Sequence, residues 1–210
     1  MKYNINIDPK IKIKNMEEHS NVPIYLRFTG DVSEESAEKF CEELESAEDM
    51  ALRSGQEIIP IIINSFGGDV YALLSMVDQI NSCKVPIATI VEGKAMSAGA
   101  VLFTCGADGH RYITPNSTVM IHEVSSQSWG KNEEIKASSI EIDRLNQKLL
   151  KLMSKNCGKS DNYFIDLVHE KRHADWYLSP QECVQHNIAS VIGCPGFEVN
   201  FKMDFRFGIL

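Results

Sequence analysis

Ser97 stands in Lys94-Ala95-Met96-Ser97-Ala98-Gly99-Ala100, where an apolar strand gives way to a helix of small residues. Small neighbours let another chain come close, and the first turn of a helix leaves amide groups free and a positive end that favours an anion. A serine so placed can attack a carbonyl. His122 closes the apolar run Val119-Met120-Ile121-His122, and a neutral imidazole there could accept the serine's proton. Asp175, in His173-Ala174-Asp175-Trp176-Tyr177-Leu178-Ser179, could hold that imidazole in the productive tautomer and stabilise its cation. Gly67-Gly68 lies at a second strand-to-helix turn, where paired glycines let backbone amides face a developing oxyanion without side chains intervening. Each feature also has an ordinary structural reading: a helix cap, a strand-end histidine, a surface acid, a tight turn. His19, His110, His169, His173 and His186 lie in charged or loop-like surroundings and offer no better base.

The elements that must position these residues alternate along the chain. Residues 2 to 14 place Tyr3, Ile5, Ile7, Ile11 and Ile13 on one parity, broken by Asp8-Pro9, which is strand periodicity. A second extended stretch runs from Val22 to Thr29. Ser33 then caps a helix whose Ala37, Phe40, Cys41, Leu44 and Ala47 share a face, ended by Gly55. The run Ile58-Ile59-Pro60-Ile61-Ile62-Ile63-Asn64 fits a strand buried on both faces, although Pro60 can donate no ladder hydrogen bond and requires an edge or irregular pairing. A helix carrying Tyr71, Leu74, Val77 and Ile80 follows, then a buried strand over 86–91, the small-residue helix after Gly93, and short strands at 111–113 and 118–122. The spacing of Ile135, Ile142, Leu145, Leu149, Leu152 and Met153 predicts a long helix over about 132–155. Ser179-Pro180-Gln181-Glu182 combines a cap, a first-turn proline and a reciprocal glutamate. Phe197, Val199, Phe201, Met203, Phe205 and Phe207 alternate with polar residues and predict a further strand over 195–210.

These repeated strand-helix units imply one layered α/β domain over 1–210, with an atypical N-terminal strand region (1–22), a body over 23–193 and the extra C-terminal strand. The 210 residues carry 21 Lys+Arg against 29 Asp+Glu, a net charge of −8, with 43% hydrophobic and 24% charged residues. That composition is of a folded chain, and without a basic run it lacks what nucleic acid or an anionic membrane would require. No window reaches the length of a membrane span, and the N-terminus has no apolar signal core, so the cytosol is the expected compartment. Six scattered cysteines with no C-x-x-C pair point to free thiols rather than a zinc or thioredoxin-like site.

Together, INSFGGDVYALLSMVDQI, GKAMSAGAVLFTCGA, PNSTVMIHE and ADWYLSPQEC, in that order, resemble the proteolytic subunit of the Clp protease, ClpP. In that family the glycine turn is I-N-S-P-G-G, the nucleophile lies in A-S-M-G and the histidine in M-I-H. The resemblance runs from about Ile24 to Ile192. It implies a ClpP/crotonase-type spiral fold with the long helix over 132–155 protruding. It also implies a serine peptidase with Ser97 as nucleophile, His122 as base, Asp175 as acid, and the amides of Gly68 and Ala98 as oxyanion donors. No metal or organic cofactor is required for that chemistry. The implied assembly is a homo-oligomeric chamber, a heptameric ring or two stacked rings, taking unfolded polypeptides from an AAA+ unfoldase.

Departures from the family sharpen the expectation. Phe66 replaces the usual proline of the glycine turn and Ala98 the usual methionine after the nucleophile, and neither change removes a backbone donor. Ala174 stands where the family has an Arg or Asp used in contacts between rings. The unfoldase-docking positions map to Pro60, Ile62, Ser82, Ile90, Glu92 and Tyr112, of which Ile62, Ile90 and Tyr112 suit the role, while Ser82 and Glu92 make it unusually polar. Docking to a standard partner is therefore expected to be weak or altered. Three other readings compete: a crotonase-fold acyl-CoA enzyme, a Ser-Lys peptidase using Lys94, and a catalytically silent assembly subunit. A complete Ser-His-Asp set is superfluous in each.

Overall fold

Two apolar runs make the centre of the sheet, because a strand covered on both faces has no polar side to keep. They become β2 (Ile59–Gly68) and β3 (Ile87–Met96). The computed structural model describes residues 22–125 and 129–198. Around that pair, in chain order, stand β1 (Leu26–Val32), α1 (Glu34–Ser54), α2 (Val70–Ser82, between β2 and β3), α3 (Ala98–Thr104), β4 (Arg111–Ile113), β5 (Thr118–Ile121), α4 (Asn132–Asn156), α5 (Tyr163–Glu170), β6 (Trp176–Leu178), α6 (Pro180–Gln185) and β7 (Val191–Ile192). The expected mixed α/β architecture, a parallel sheet with helices, is present.

The sheet runs β1-β2-β3-β4-β7, each neighbour parallel. β3 is the branch point. Its first part, Thr89 to Val91, pairs β4, while Lys94 to Met96 pairs β5. β5 in turn holds β6 in the one antiparallel pairing among the described residues. The fork adds β5 and β6 beside the end of β3; His122 and Asp175 adjoin those two strands, while Ser97 follows β3 and Gly68 ends β2.

The helix ends follow their sequence signals. Ser33 caps α1 by accepting from the Ser36 amide, and Gly55 ends it at φ 73°. Ser179 and Glu182 form the reciprocal box that starts α6. Pro60 sits where its missing donor matters least. The Ile59 amide bonds Pro86 on the β3 side, so the Pro60 nitrogen faces β1, whose ladder begins only opposite Ile61. The buried face of α2 is Ala72, Leu73, Met76, Val77 and Ile80, rotated from the expected one. Tyr71 is exposed because its hydroxyl reaches α4, donating to Glu141 Oε1 at 2.6 Å.

Arg111 is the largest fully buried side chain. Its guanidinium donates to the carbonyls of Gly106, Asn187 and Ile188 at 3.1–3.2 Å, which fastens the segment after α6 to the sheet. Among the described residues no helix is long and apolar enough to cross a membrane. The alternating residues from Tyr3 to Ile13 and the tail from Val199 lie outside the described residues, and 195–198 form no strand.

Candidate active site

Strand register brings the three candidate catalytic residues together from distant positions. Met96 pairs Met120 across β3 and β5, and the next amide, that of Ser97, donates to the Met120 carbonyl at 2.8 Å. Ser97 and His122 therefore emerge from the ends of neighbouring parallel strands. On the other side of β5, Ile121 pairs Trp176 in an antiparallel ladder, so one step further sets His122 opposite Asp175. The contacts match this register. His122 Nε2 lies 2.8 Å from Ser97 Oγ, and His122 Nδ1 lies 3.3 Å from Asp175 Oδ1.

Ser97 has φ 53° and ψ −121°, and its side chain makes no capping hydrogen bond. A non-glycine residue in that region is strained, and such strain collects at functional sites. The simple reading of Ser97 as a helix cap is thereby removed. Its hydroxyl is aimed at the histidine instead. Ala98 begins α3, and the next backbone bonds run from Ala100 and Val101 to the Ser97 carbonyl.

The glycine turn packs directly on this serine. The Gly67 amide donates to the buried Ser65 Oγ at 3.0 Å, and Gly67 at φ 96° passes close to the Met96 carbonyl and Ser97. Gly68 pairs with Val32 of β1, where a side chain would strike the Val32 carbonyl. Gly68, Ala98, Ser97 and His122 all line one narrow cavity of about 60 Å³, whose remaining wall is largely apolar: Val70, Val101, Ile121, Leu149, Leu150 and Met153. The apolar stripe of α4 is legible in the sequence, but not that Leu149 and Met153 border the candidate nucleophile. Periodicity says that a helix face is covered, not by what.

Lys94 is the alternative base of a Ser-Lys enzyme. Its ammonium donates to Asn64 Oδ1 at 3.0 Å and stands 4.0 Å over the Phe66 ring. The lysine is thus held by the glycine-turn strand, and the phenylalanine that replaces proline there supplies a face for the cation. The serine's partner is the histidine.

A second cavity, of about 300 Å³, lies on the other side of the fork. Pro60, Ile62, Ile90 and Tyr112 line it together with Tyr25, Ala88 and the segment Cys194 to Phe197. Ser82 and Glu92 are outside its lining, and Glu92 instead accepts from Arg27 at 2.7 Å. Ser82 and Glu92 thus add no polarity to this wall, which His110 shares, and the chain's own segment after β7 forms part of it.

A family model described as Clp protease matches residues 20–193, a span that contains every candidate residue named above. The chain belongs to the Clp protease family. Among its relatives, the ATP-dependent Clp protease proteolytic subunit 1 of Rhodopirellula baltica is 32% identical over 142 residues, covering 67% of this chain and 61% of that protein. The chain thus spans less than two thirds of the length of that curated Clp relative.

Proposed function

We propose that this Clp-family chain is a serine endopeptidase subunit that hydrolyses unfolded polypeptides inside a homo-oligomeric chamber. The observation that carries the proposal is the 2.8 Å contact between His122 Nε2 and Ser97 Oγ, with Asp175 3.3 Å from the other ring nitrogen. In the proposed reaction Ser97 Oγ attacks the peptide carbonyl carbon as its proton passes to His122 Nε2. The amides of Gly68 and Ala98 receive the oxyanion, each donor contributing about 3 kcal/mol in comparable sites. The C–N bond then breaks as His122 returns the proton to the leaving amine, and water releases the acyl group by the same steps in reverse order. Asp175 accepts the hydrogen bond from His122 Nδ1–H throughout.

A nonspecific peptidase site open to solvent would attack any exposed peptide, so this chemistry calls for enclosure. We infer a ring, heptameric or a stacked pair of heptamers, working in the cytosol with an AAA+ unfoldase. The pocket of Ile62, Ile90 and Tyr112 suits an apolar docking loop, and the Cys194 to Phe197 segment narrows the room for it.

The test is a fluorophosphonate probe on the assembled chain, with sedimentation to give the assembly mass and a fluorogenic peptide to give turnover. Labelling that vanishes in Ser97→Ala, with peptide hydrolysis reduced about 10³-fold or more, is the expected result. No labelling of an assembled ring would overturn the peptidase and leave a silent assembly subunit.

A further inference from the structure

Beside the candidate catalytic residues lies a second group that the proposed reaction does not use. Glu123, His169 and His173 present donor atoms that all lie within 4.8 Å of one another. They come from three places: the residue after His122, the last turn of α5, and the turn just ahead of Asp175. His173 Nδ1 is 2.8 Å from Glu123 Oε2, and the two imidazole rings are 4.9 Å apart between centroids. An exposed Glu-His ion pair explains two of these side chains but not the third, and on its own such a pair contributes little.

Two imidazoles and one carboxylate form a donor set suited to a zinc-class ion, with open positions for water. Bonds of about 2.1 Å in a tetrahedral arrangement place donors roughly 3.4 Å apart, so the widest pair needs to close by at most about 1.4 Å and the His173–Glu123 pair to open by about half an ångström. The carboxylate is already oriented from outside, because Asn146 Nδ2 donates to Glu123 Oε1 at 3.1 Å, the kind of outer contact that fixes a metal ligand. The backbone serves the same convergence. Arg172 and His173 both adopt φ 60°, which folds His173 back over the end of α5 toward His169. In the sequence these histidines are only part of a charged stretch, since Glu123 is 50 residues from His173.

We propose that Glu123, His169 and His173 bind a divalent transition ion of the zinc class. Bound there, the ion joins the segment after β5, which carries His122 and Glu123, to the turn just ahead of Asp175. Asp175 is half exposed and its contact with His122 is the looser of the two at 3.3 Å, so fastening its turn would hold the acid at the imidazole. The binding claim stands alone, whereas the effect on hydrolysis rests on the triad reading.

The experiment titrates Zn²⁺ into chelator-treated, assembled full-length chain against a chromophoric competitor, for wild type, Glu123→Gln, His169→Ala, His173→Ala and His122→Ala. The expected result is one ion per chain, bound at least 30-fold more weakly in each of the first three variants and unchanged in His122→Ala. Cobalt substitution should give visible d–d absorption without a thiolate charge-transfer band, which separates this site from a cysteine site at Cys194. Absence of stoichiometric binding, equal affinity in His169→Ala, loss confined to His122→Ala, or a thiolate band would each overturn the site. For the coupling, Zn²⁺ should raise kcat for a short peptide and leave KM unchanged in wild type, and should change neither constant in His169→Ala. Tight binding with an unmoved kcat would overturn the fastening while the triad itself, tested by Ser97→Ala labelling, still stands.

Discussion

Gly67 passes so close to Ser97 that a Cβ added to it would stand 2.8 Å from the serine Cβ and 2.6 Å from the Met96 carbonyl oxygen. The seating of this turn against the serine therefore depends on an absent side chain, and Gly67 at φ 96° is also in a region that other residues avoid. Gly67→Ala is expected to displace the serine or the turn by a fraction of an ångström to an ångström. A misplacement of that size costs about 10²-fold in rate. Fluorogenic peptide hydrolysis should fall by at least that factor while circular dichroism keeps the wild-type helix content, and a variant with near-wild-type turnover would refute the role of the close approach.

A carboxylate of α4 ties it to α2. Glu141 accepts from the Tyr71 hydroxyl at 2.6 Å and from Arg144 at 2.6 and 2.7 Å. The Arg144 hydrogen bond, then that of Tyr71, lowers the Glu141 carboxyl to about 2. Because the folded value is depressed, its contribution is present above the unfolded pKa near 4.5 and is lost as pH falls through about 2. Hydrogen exchange in the first half of α4 should accelerate over that window. In Tyr71→Phe the Arg144 pair remains, so the acceleration should begin at higher pH than in wild type.

Much of this was legible in the sequence, and unevenly so. The capped starts of α1 and α6 and the buried runs of β2 and β3 could be read because their signals are local. Ser97, His122 and Asp175 could be singled out through motif order, and the register of β3, β5 and β6 brings them together. The sheet's fork at β3 was not legible, because the residues that pair β4 and those that pair β5 share one apolar strand. Nor was the convergence of Glu123 with His169 and His173, since neither periodicity nor spacing connects a strand end to a helix end. Tyr71 lies at helical spacing with Leu74 and Val77, and spacing alone does not show that its hydroxyl has a carboxylate in reach and gains more by staying at the surface.

Arg111 makes a stability prediction of a different kind. With 1% of its side chain exposed, it leaves its three carbonyl partners with little access to water once it is removed. An unsatisfied buried acceptor costs about 1–3 kcal/mol. Arg111→Ala should therefore lose roughly 3 kcal/mol or more in denaturant unfolding, and Arg111→Lys should recover only part of it, since one ammonium cannot reproduce the fork. A loss under about 1 kcal/mol would contradict the packing described for the α6 to β7 segment.

Thiol chemistry should sort the cysteines by burial. Burial pushes the Cys183 thiol up to about 12 and that of Cys157 up to about 11, so at neutral pH neither supplies thiolate, the attacking species. Cys194 is exposed and borders the 300 Å³ cavity. A maleimide limited to one equivalent should label Cys194 ahead of Cys157 and Cys183, as peptide mapping would show, and early modification of Cys183 would refute this order.

In the proposed reaction the cavity beside Ser97 would receive the side chain that precedes the cleaved bond. Its wall of Val70, Val101, Leu149, Leu150 and Met153 offers no charged partner, and its volume is about 60 Å³. Placing an ammonium or carboxylate there without a partner costs several kcal/mol, whereas an apolar side chain gains about 25 cal/mol for each Å² it buries. Peptides with leucine, methionine or alanine before the scissile bond should therefore be cleaved at least about 30-fold faster, in kcat/KM, than the same peptides with lysine or aspartate, since 2 kcal/mol corresponds to that ratio. Leu149→Ala should widen the cavity and shift the preference toward phenylalanine, and an unchanged ranking in that variant would mean that α4 does not shape the substrate.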